Sequence, residues 1–140
     1  NRSHYEDVLI QRVHKWVDEK TIKQRYAHIN NFEKLLVESG TIVLKFYLHV
    51  SKEEQLLRLN ERTNDLTKMW KYNEDDMKAR VFWNQYMKAY EDAFFHCSLS
   101  SPWHIIPSDQ NWYKEYVIAK KVVETLESLK MQFPGLKPLQ

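Results

Sequence analysis

The sequence predicts an α/β fold in which helices cover a parallel sheet, as in the C-terminal part of a three-layer domain. Residues 41–50 and 102–107 are short apolar runs, rich in β-branched and aromatic side chains, which indicates strands buried on both faces. Helical patterns precede, separate and follow these two runs. Because two strands cannot form a stable sheet alone, a segment ahead of the first residue is expected to supply the remaining strands.

A helix is predicted over residues 20–39, on the N-terminal side of the first strand. Its apolar side chains recur at helical spacing on one face, namely Ile29, Phe32, Leu36 and Val37. Gly40 follows directly and supplies the stop. Residues 8–13 are short and apolar, and periodicity leaves open whether they form a strand or a buried helical turn.

Two helices and a polar connector are predicted between the strands. Ser51 and Glu54 have the spacing of a capping box, which begins a helix that extends to about Arg62. Residues 63–73 form a polar, basic connector, and a long helix is expected from about Asn73. The apolar residues of that long helix recur at helical spacing: Trp83, Tyr86, Met87, Tyr90 and Phe94.

A last helix is predicted after the second strand, and Ser108 or Asp109 is expected to cap it. Its inner face is expected to consist of Trp112, Tyr116, Ala119, Val123 and Leu126. Five tryptophans and eight tyrosines occur in the chain, and most fall on such inner faces. Core packing therefore explains them better than the stacking of nucleic-acid bases.

The composition of the 140 residues excludes several classes of function. The 21 Lys and Arg residues against 19 Asp and Glu give a net charge of +2, too even to indicate nucleic acid or an anionic membrane. The single cysteine, Cys97, excludes a disulfide within the chain. Gly40 and Gly135 are the only glycines, where usage of ~7% would give about 10. A phosphate loop and a dinucleotide fingerprint are therefore excluded within these residues.

The charged residues of the middle segment are the first candidates for chemistry. Arg58 and Arg62 are one helical turn apart and share a face, and Lys68 and Lys71 follow on either side of Trp70. A mobile basic segment between two strands suits a lid for phosphoryl transfer, because the transferred group carries charge on three oxygens. A solvated helix face with ordinary ion pairs is the alternative interpretation.

The N-terminal residues are the second group of candidates. Arg2 would follow the end of a preceding strand, and open α/β sheets bind ligands at such carboxyl ends. A surface arginine is the alternative. Glu6 and Asp7 could hold a metal, although pairing with Arg2 or helix capping explains them more simply.

Several sequence blocks occur together in a characteristic order across about residues 1–130. They are Asn1-Arg2-Ser3-His4-Tyr5-Glu6-Asp7-Val8-Leu9, Arg25-Tyr26, Ile29-Asn30, Phe32-Glu33, the block from Lys45 to Gln55, Arg58 and Arg62, Lys68-Met69-Trp70-Lys71, Pro102-Trp103 and Ile105-Ile106-Pro107-Ser108-Asp109. In combination they resemble the polyphosphate kinase 2 family, polyphosphate-dependent nucleotide kinases with the P-loop kinase fold. The resemblance implies that residues 1–140 are the C-terminal part of one such domain and that its phosphate loop lies upstream.

The resemblance also implies roles for individual residues. Arg2 would follow the Walker B strand and lie beside the transferred phosphates. Asn1 stands where many members carry the Walker B Asp, and this form of the block looks like the subgroup that accepts both nucleoside mono- and diphosphates. A lid would span about residues 58–80. The catalytic residues would be Arg2, Arg62, Lys68 and Lys71, and the substrate-binding residues Asn1, Glu6, Arg58 and Arg80.

The implied reaction is the reversible transfer of a terminal phosphoryl group from inorganic polyphosphate to an adenine or guanine nucleoside mono- or diphosphate, with Mg²⁺ as cofactor. The enzyme would be cytoplasmic, would bind neither membranes nor nucleic acid, and could form a homo-oligomer. The 140 residues alone are expected to be inactive. Two alternatives stay open: a non-catalytic module that binds phosphate or nucleic acid, and an ATP-dependent kinase of the same fold.

Overall fold

The computed structural model describes residues 3–135 and shows a mixed α/β chain. Its regular elements follow one another as α1 (Ile10–Val13), α2 (Glu19–Glu38), β1 (Lys45–His49), α3 (Lys52–Asn64), α4 (Glu74–Ala79), α5 (Trp83–His96), β2 (Trp103–Pro107) and α6 (Asn111–Ser128). Short 3₁₀ turns lie at His4–Val8, Met69–Lys71 and Arg80–Phe82. Within the described residues, no helix combines the length and apolar character that a membrane crossing requires.

The two strands are parallel, which confirms the predicted sheet type. Lys45 lies opposite Trp103 and His49 lies opposite Pro107 at the other end of the ladder. The crossover between them contains α3, α4 and α5, since parallel strands cannot be joined by a tight turn. The carboxyl ends of both strands therefore lie at the same edge of the sheet.

The strands are shorter and more exposed than the sequence predicts. Only residues 45–49 of the predicted 41–50 are extended as a strand. The prediction of burial on both faces is wrong for the described residues, because Leu48 and His49 are exposed and Ile105 keeps 59% of its surface accessible. Each strand has one neighbour in the described sheet, so the remaining edges and parts of the faces are uncovered.

The helix predicted over residues 20–39 is confirmed as α2, with local signals at both ends. The Asp18 carboxylate accepts a hydrogen bond from the Thr21 backbone N–H at 2.7 Å and caps the start. Gly40 follows the last turn with a φ of 84°, a conformation that glycine adopts without strain.

The buried face of α2 differs from the predicted one. Its buried members are Ile22, Tyr26, Ile29 and Glu33. Ile29 is shared with the prediction, whereas Phe32 and Val37 are exposed. The buried stripe is set by the segments that pack on it, and one of its members is a carboxylate that no apolar pattern would select.

Residues 8–13, which the sequence leaves open between strand and helix, form helical turns. The turn at His4–Val8 and α1 pack against α2 and α5. Their buried side chains join those of α2 and α5 in one core, whose members are Tyr5, Val8, Leu9, Val13, Ile22, Tyr26, Ile29, Ala89, Ala93 and Cys97. This core anchors the N-terminal turn to the rest of the structure.

The helices that follow β1 are partly as predicted. The predicted cap at Ser51 is confirmed, because its hydroxyl accepts a hydrogen bond from the Glu54 N–H at 3.1 Å. The reciprocal half of the capping box is wrong, since the Ser51 N–H donates to Asp109 and the Glu54 carboxylate accepts from Arg58. The single long helix expected from Asn73 is wrong, since α4 and α5 are separated by the 3₁₀ turn Arg80–Phe82. That turn contains a β-branched and an aromatic residue, which lose side-chain freedom in an α-helix.

The predicted cap of α6 is also wrong. Gln110 occupies the capping position and makes no side-chain hydrogen bond there. Ser108 Oγ instead donates to the Ile106 carbonyl, and Asp109 accepts from Ser51. The predicted inner face of α6 is largely uncovered within residues 3–135, where Trp112 is 69% and Tyr116 57% exposed.

Candidate functional site

The loops after the two strands are joined to each other at the carboxyl edge of the sheet. The Ser51 backbone N–H donates to Asp109 Oδ1 at 2.7 Å, and the Ser108 N–H donates to the His49 carbonyl at 2.8 Å. Helix α3 begins directly beside this junction. Open parallel sheets bind ligands beyond the carboxyl ends of their strands, so this edge is the candidate site.

Arg58 connects α3 to the loop after β2. Its Nε donates to Glu54 Oε1 at 2.8 Å. Its Nη2 donates to the carbonyls of Ser108 at 2.8 Å and of Asp109 at 2.9 Å. The guanidinium group therefore lies at the predicted edge, where it also fixes the loop.

A cavity of about 490 Å³ extends from this edge between β1, α3 and α5. We call it the α3–α5 cleft. Apolar and aromatic side chains form most of its wall, and the polar groups that converge on it are Gln55, Arg58, Arg62, Asp76 and the tyrosines Tyr47, Tyr86 and Tyr90. A concave, mainly apolar space with a few polar groups is typical of a small-molecule site.

The tyrosines of the cleft keep their hydroxyl protons at neutral pH. Burial raises the pKa of Tyr47 to about 12, and the neighbouring Tyr90 adds to the effect. Burial likewise raises the pKa of Tyr86 and of Tyr90. The Tyr47 hydroxyl donates to Met87 Sδ at 3.6 Å, and the Tyr86 hydroxyl lies 3.4 Å from His14 Nε2. These two hydroxyls would have to leave those partners to donate to an anionic ligand.

Glu6 lies in the turn His4–Val8, which packs against α5, the helix that forms one wall of the cleft. The side chain is half-buried in the turn His4–Val8. Burial is the main reason that the pKa of Tyr90 is raised, and the charges of Tyr86 and Glu6 contribute to that rise. The turn that contains this predicted substrate-binding residue therefore packs on one wall of the cleft, and Glu6 is not among the residues that line the cleft.

Arg62 and Arg80 hold the segment after α3 against α3 itself. Arg62 Nη1 donates to Asp76 Oδ2 at 2.9 Å, which links α3 to α4. Arg80 Nη1 donates to Gln55 Oε1 at 2.6 Å and to the Lys52 carbonyl at 3.0 Å. The guanidinium of Arg80 is therefore bonded to a residue that lines the cleft.

Lys68 and Lys71 lie outside the cleft. Lys68 Nζ is 3.0 Å from Glu61 Oε2 and 3.5 Å from Asp65 Oδ2. The hydrogen bond and the charge of Glu61 raise the pKa of the Lys68 ammonium. Lys71 Nζ lies 4.9 Å from the centre of the Trp70 ring, which itself is 79% exposed. The structure thus assembles the arginines of the segment and leaves its lysines on the outside.

Asn1 and Arg2 lie outside the described residues. Their assigned roles in substrate binding and catalysis remain predictions from sequence. Ser3, the first described residue, caps the turn His4–Val8 by accepting a hydrogen bond from the Tyr5 N–H at 3.2 Å. Glu6 is thus the N-terminal candidate whose surroundings the structure describes.

The described residues could supply only one or two of the ligands that a magnesium ion needs. Within residues 3–135, no three His, Cys, Asp or Glu side chains gather into a metal-binding group. Magnesium is usually held by one or two carboxylates together with substrate phosphates and water. Among the described residues, Asp76 is the carboxylate that lines the cleft, where it accepts a hydrogen bond from Arg62.

Sequence reasoning missed two features of this site. The sequence assigns the tyrosines of the cleft to core packing, whereas in the structure they also line a cavity. Asp109 is expected to cap α6 but connects the two strand ends instead. The signal for Asp109 is weak, because its partner Ser51 lies 58 positions away and belongs to another predicted element.

The bond between Asp109 and Ser51 predicts a pH-dependent stability difference. Hydrogen bonding by Ser51 lowers the pKa of Asp109 below its unfolded value of about 3.9. The stabilisation that this hydrogen bond provides is therefore complete above the unfolded-state pKa of Asp109. It is lost as the pH falls through the lower pKa of the folded state. The Asp109→Asn variant of the complete protein should be less stable than wild type at pH 6, with a smaller difference below about pH 3.9. Denaturant midpoints across this range test it, and a pH-independent difference would contradict it.

Comparison with known proteins identifies the family. The family model described as Polyphosphate kinase 2 matches residues 1–134. The chain is 46% identical over 135 residues to an AMP/ADP-polyphosphate phosphotransferase of Meiothermus ruber, covering 96% of this chain and 51% of that protein. It is 36% identical over 151 residues to an ADP-polyphosphate phosphotransferase of Rhodopseudomonas palustris, covering 99% of this chain and 52% of that protein.

A solved structure supports the same assignment. The chain superposes on the polyphosphate kinase 2 of Arthrobacter aurescens TC1 with a TM-score of 0.95 at 41% identity, over 99% of this chain and 50% of that one. The predicted P-loop kinase fold is thereby confirmed. The chain spans about half the length of these relatives. From the family match and these similarities, the chain belongs to the polyphosphate kinase 2 family.

Proposed function

We propose that these residues are the C-terminal part of an enzyme that transfers the terminal phosphoryl group of inorganic polyphosphate to a nucleoside mono- or diphosphate. The observation that carries this proposal is the convergence of Arg58 and Arg62 on one cleft at the carboxyl edge of a parallel sheet. Family membership supplies the donor and the acceptor class. A preceding segment would contribute the phosphate loop and the rest of the sheet.

The acceptor would be an adenine nucleotide, either mono- or diphosphate. Two observations support this choice. The relative at 46% identity is named for both AMP and ADP. The block of residues 1–7 also has the form that suggests the subgroup accepting both. Guanine nucleotides belong in the same test panel.

The chemistry would be in-line transfer, in which positioning and charge stabilisation provide most of the catalysis. Arg58 and Arg62 would contact phosphate oxygens from one wall, and the tyrosine hydroxyls would donate hydrogen bonds from the other. Bound Mg²⁺ would neutralise part of the phosphate charge. For Arg62 to reach a phosphate, its bond to Asp76 has to open.

Residues 58–80 would act as the lid. The segment contains ion pairs between largely exposed groups, which contribute about 0–1 kcal/mol each and exchange readily for phosphate. Leu59, within α3, is buried, but the apolar side chains after α3 add little core, since Leu66 is 85% and Trp70 79% exposed. Few buried contacts indicate a segment that opens at low cost. An anionic substrate would then order it.

The lid proposal predicts a specific loss in two lysine variants of the complete protein. Lys68→Ala and Lys71→Ala should weaken the use of polyphosphate more than they lower the thermal midpoint. Substitutions of exposed charges usually change stability by within about 0.5 kcal/mol. The loss relative to wild type should be smaller at high ionic strength, because salt already screens the attraction that each lysine provides in the wild type. The measurement combines polyphosphate-dependent kinetics with thermal unfolding at low and high salt.

Lys34→Ala is the matched control for the lysine variants. Lys34 is an exposed lysine on α2 that pairs with Glu38 at 3.6 Å, away from the segment. It should leave polyphosphate use unchanged at both salt concentrations. If the two lid variants keep the kinetics of this control, residues 58–80 are a solvated connector with ordinary ion pairs.

A donor panel tests the proposed function itself. The product of the complete gene is incubated with Mg²⁺ and AMP, ADP, GMP or GDP, and the donor is either long-chain polyphosphate or ATP. We expect phosphorylated adenine nucleotide with polyphosphate alone, and no product from residues 1–140 alone. Transfer from ATP alone would indicate an ATP-dependent kinase of the same fold. Binding of polyphosphate without transfer would indicate a non-catalytic module.

A further inference from the structure

A buried lysine joins three separate parts of the chain. Lys45 Nζ donates to Glu33 Oε2 at 2.7 Å, to the Tyr5 hydroxyl at 2.9 Å and to the Cys97 carbonyl at 2.5 Å. An ammonium group has three N–H donors, and each has an acceptor here. The Lys45 side chain is 7% exposed and that of Glu33 is 1% exposed. This ion pair is therefore enclosed at the start of β1.

The Tyr5 hydroxyl connects the N-terminal turn to this ion pair. It accepts the bond from Lys45 and donates its own proton to Glu33 Oε1 at 2.7 Å. Burial and the bond to Glu33 raise the pKa of Tyr5, so the hydroxyl remains a donor. The ring packs edge-on against Trp103, with 4.7 Å between ring centres. Both ends of the Tyr5 side chain are thereby fixed.

Glu33 holds the turn through a second contact as well. His4 Nε2 lies 3.4 Å from Glu33 Oε1, the same oxygen that Tyr5 contacts. One buried carboxylate on α2 thus binds two consecutive residues of the turn His4–Val8. The turn contains Glu6 and packs against α5, which forms one wall of the cleft.

Stability alone is a weak explanation for such a cluster. Removing two charges from water has a large desolvation cost, and apolar replacements of a buried ion pair are often as stable. Directional bonds, in contrast, select one arrangement of the segments that they join. Here α2, β1, the residue after α5 and the N-terminal turn meet at one ammonium group.

We propose that Tyr5, Glu33 and Lys45 are positioning residues for phosphoryl transfer. They hold the turn His4–Val8, which contains Glu6, in one orientation against α2 and α5, and this orientation fixes the position of Glu6 relative to the reacting phosphates. This inference rests on the function proposed above. None of the three has to touch substrate, since each acts through the turn.

The test uses Tyr5→Phe and Glu33→Gln in the complete protein. Tyr5→Phe removes one hydroxyl and leaves the Lys45–Glu33 pair in place. A misplacement of about 1 Å can cost on the order of 10²-fold in rate, so each variant should lower kcat by about 10-fold or more. The KM for nucleotide should stay within about twofold, because the cleft walls are unchanged. Glu38→Gln, the same change at an exposed ion pair of α2, should leave both constants at wild-type values.

The outcomes separate the two proposals. An active wild type whose Tyr5→Phe variant keeps wild-type kcat at a temperature below its unfolding midpoint would overturn the positioning role. A midpoint lowered without a change in kcat would assign the cluster to stability and would overturn it equally. If Glu33→Gln fails to fold, Tyr5→Phe alone decides. A wild type that transfers no phosphate from polyphosphate would overturn the proposed function, and this inference with it.

Discussion

Arg2→Ala in the complete protein should lower turnover by about 10²-fold or more. Removing one preorganised charge donor from a transition state costs about 3 kcal/mol, which corresponds to that factor. Arg2 is assigned from its place after the expected Walker B strand. The measurement is kcat with saturating polyphosphate and nucleotide.

Two further variants sharpen that test. Arg2→Lys keeps the charge but loses the planar fork that contacts two phosphate oxygens, so it should recover only part of the rate. Lys23→Ala removes an exposed positive charge from α2 and serves as the control. Near wild-type turnover in Arg2→Ala would remove Arg2 from the site and leave Arg58 and Arg62 as the phosphate-binding arginines.

Lys45→Met should produce the largest loss of stability among single substitutions in this part of the chain. The variant leaves Glu33 buried without its ammonium partner, and breaking a buried pair typically costs about 3–5 kcal/mol. The measurement is the free energy of unfolding of the complete protein in denaturant.

The double variant Glu33→Gln with Lys45→Met supplies the control. It removes both charges, so its loss of stability should be smaller than the sum of the two single losses. A loss of less than about 1 kcal/mol in Lys45→Met would contradict a desolvated ion pair. Such a small loss would also contradict a role for the cluster in fixing the N-terminal turn.

The features that sequence predicts well are those whose partners are close along the chain. Ser51 and Glu54 are three residues apart, and the Ser51 hydroxyl caps the helix as expected. The stop at Gly40 depends on the conformational freedom of one residue. In contrast, the Asp109 carboxylate could cap α6, which follows it, or accept a hydrogen bond from an N–H far away in the sequence. It accepts from Ser51 because the packing of the two strand ends brings these residues together.

The candidate site shows the same division. A helical spacing of four places Arg58 and Arg62 on one face, and the structure shows both on one cleft. The positions of Lys68 and Lys71 depend on the irregular path after α3, which periodicity does not describe. The cluster of Tyr5, Glu33 and Lys45 joins residues 12 to 40 positions apart, so no local pattern indicates it.

We expect polyphosphate to close the proposed lid, residues 58–80, over the α3–α5 cleft. Exchange of backbone amide hydrogens measures this closure directly and does not depend on turnover. In the free protein, amides of residues 65–72 should exchange fast, because this stretch has few buried contacts.

The decisive measurement is amide exchange of the complete protein with and without long-chain polyphosphate, with inorganic phosphate at equal phosphorus concentration as the control. Our account predicts slower exchange across residues 65–72 with polyphosphate, little change with inorganic phosphate, and loss of the protection in Arg62→Ala. Unchanged exchange in this segment at saturating polyphosphate would contradict the claim that it is a lid.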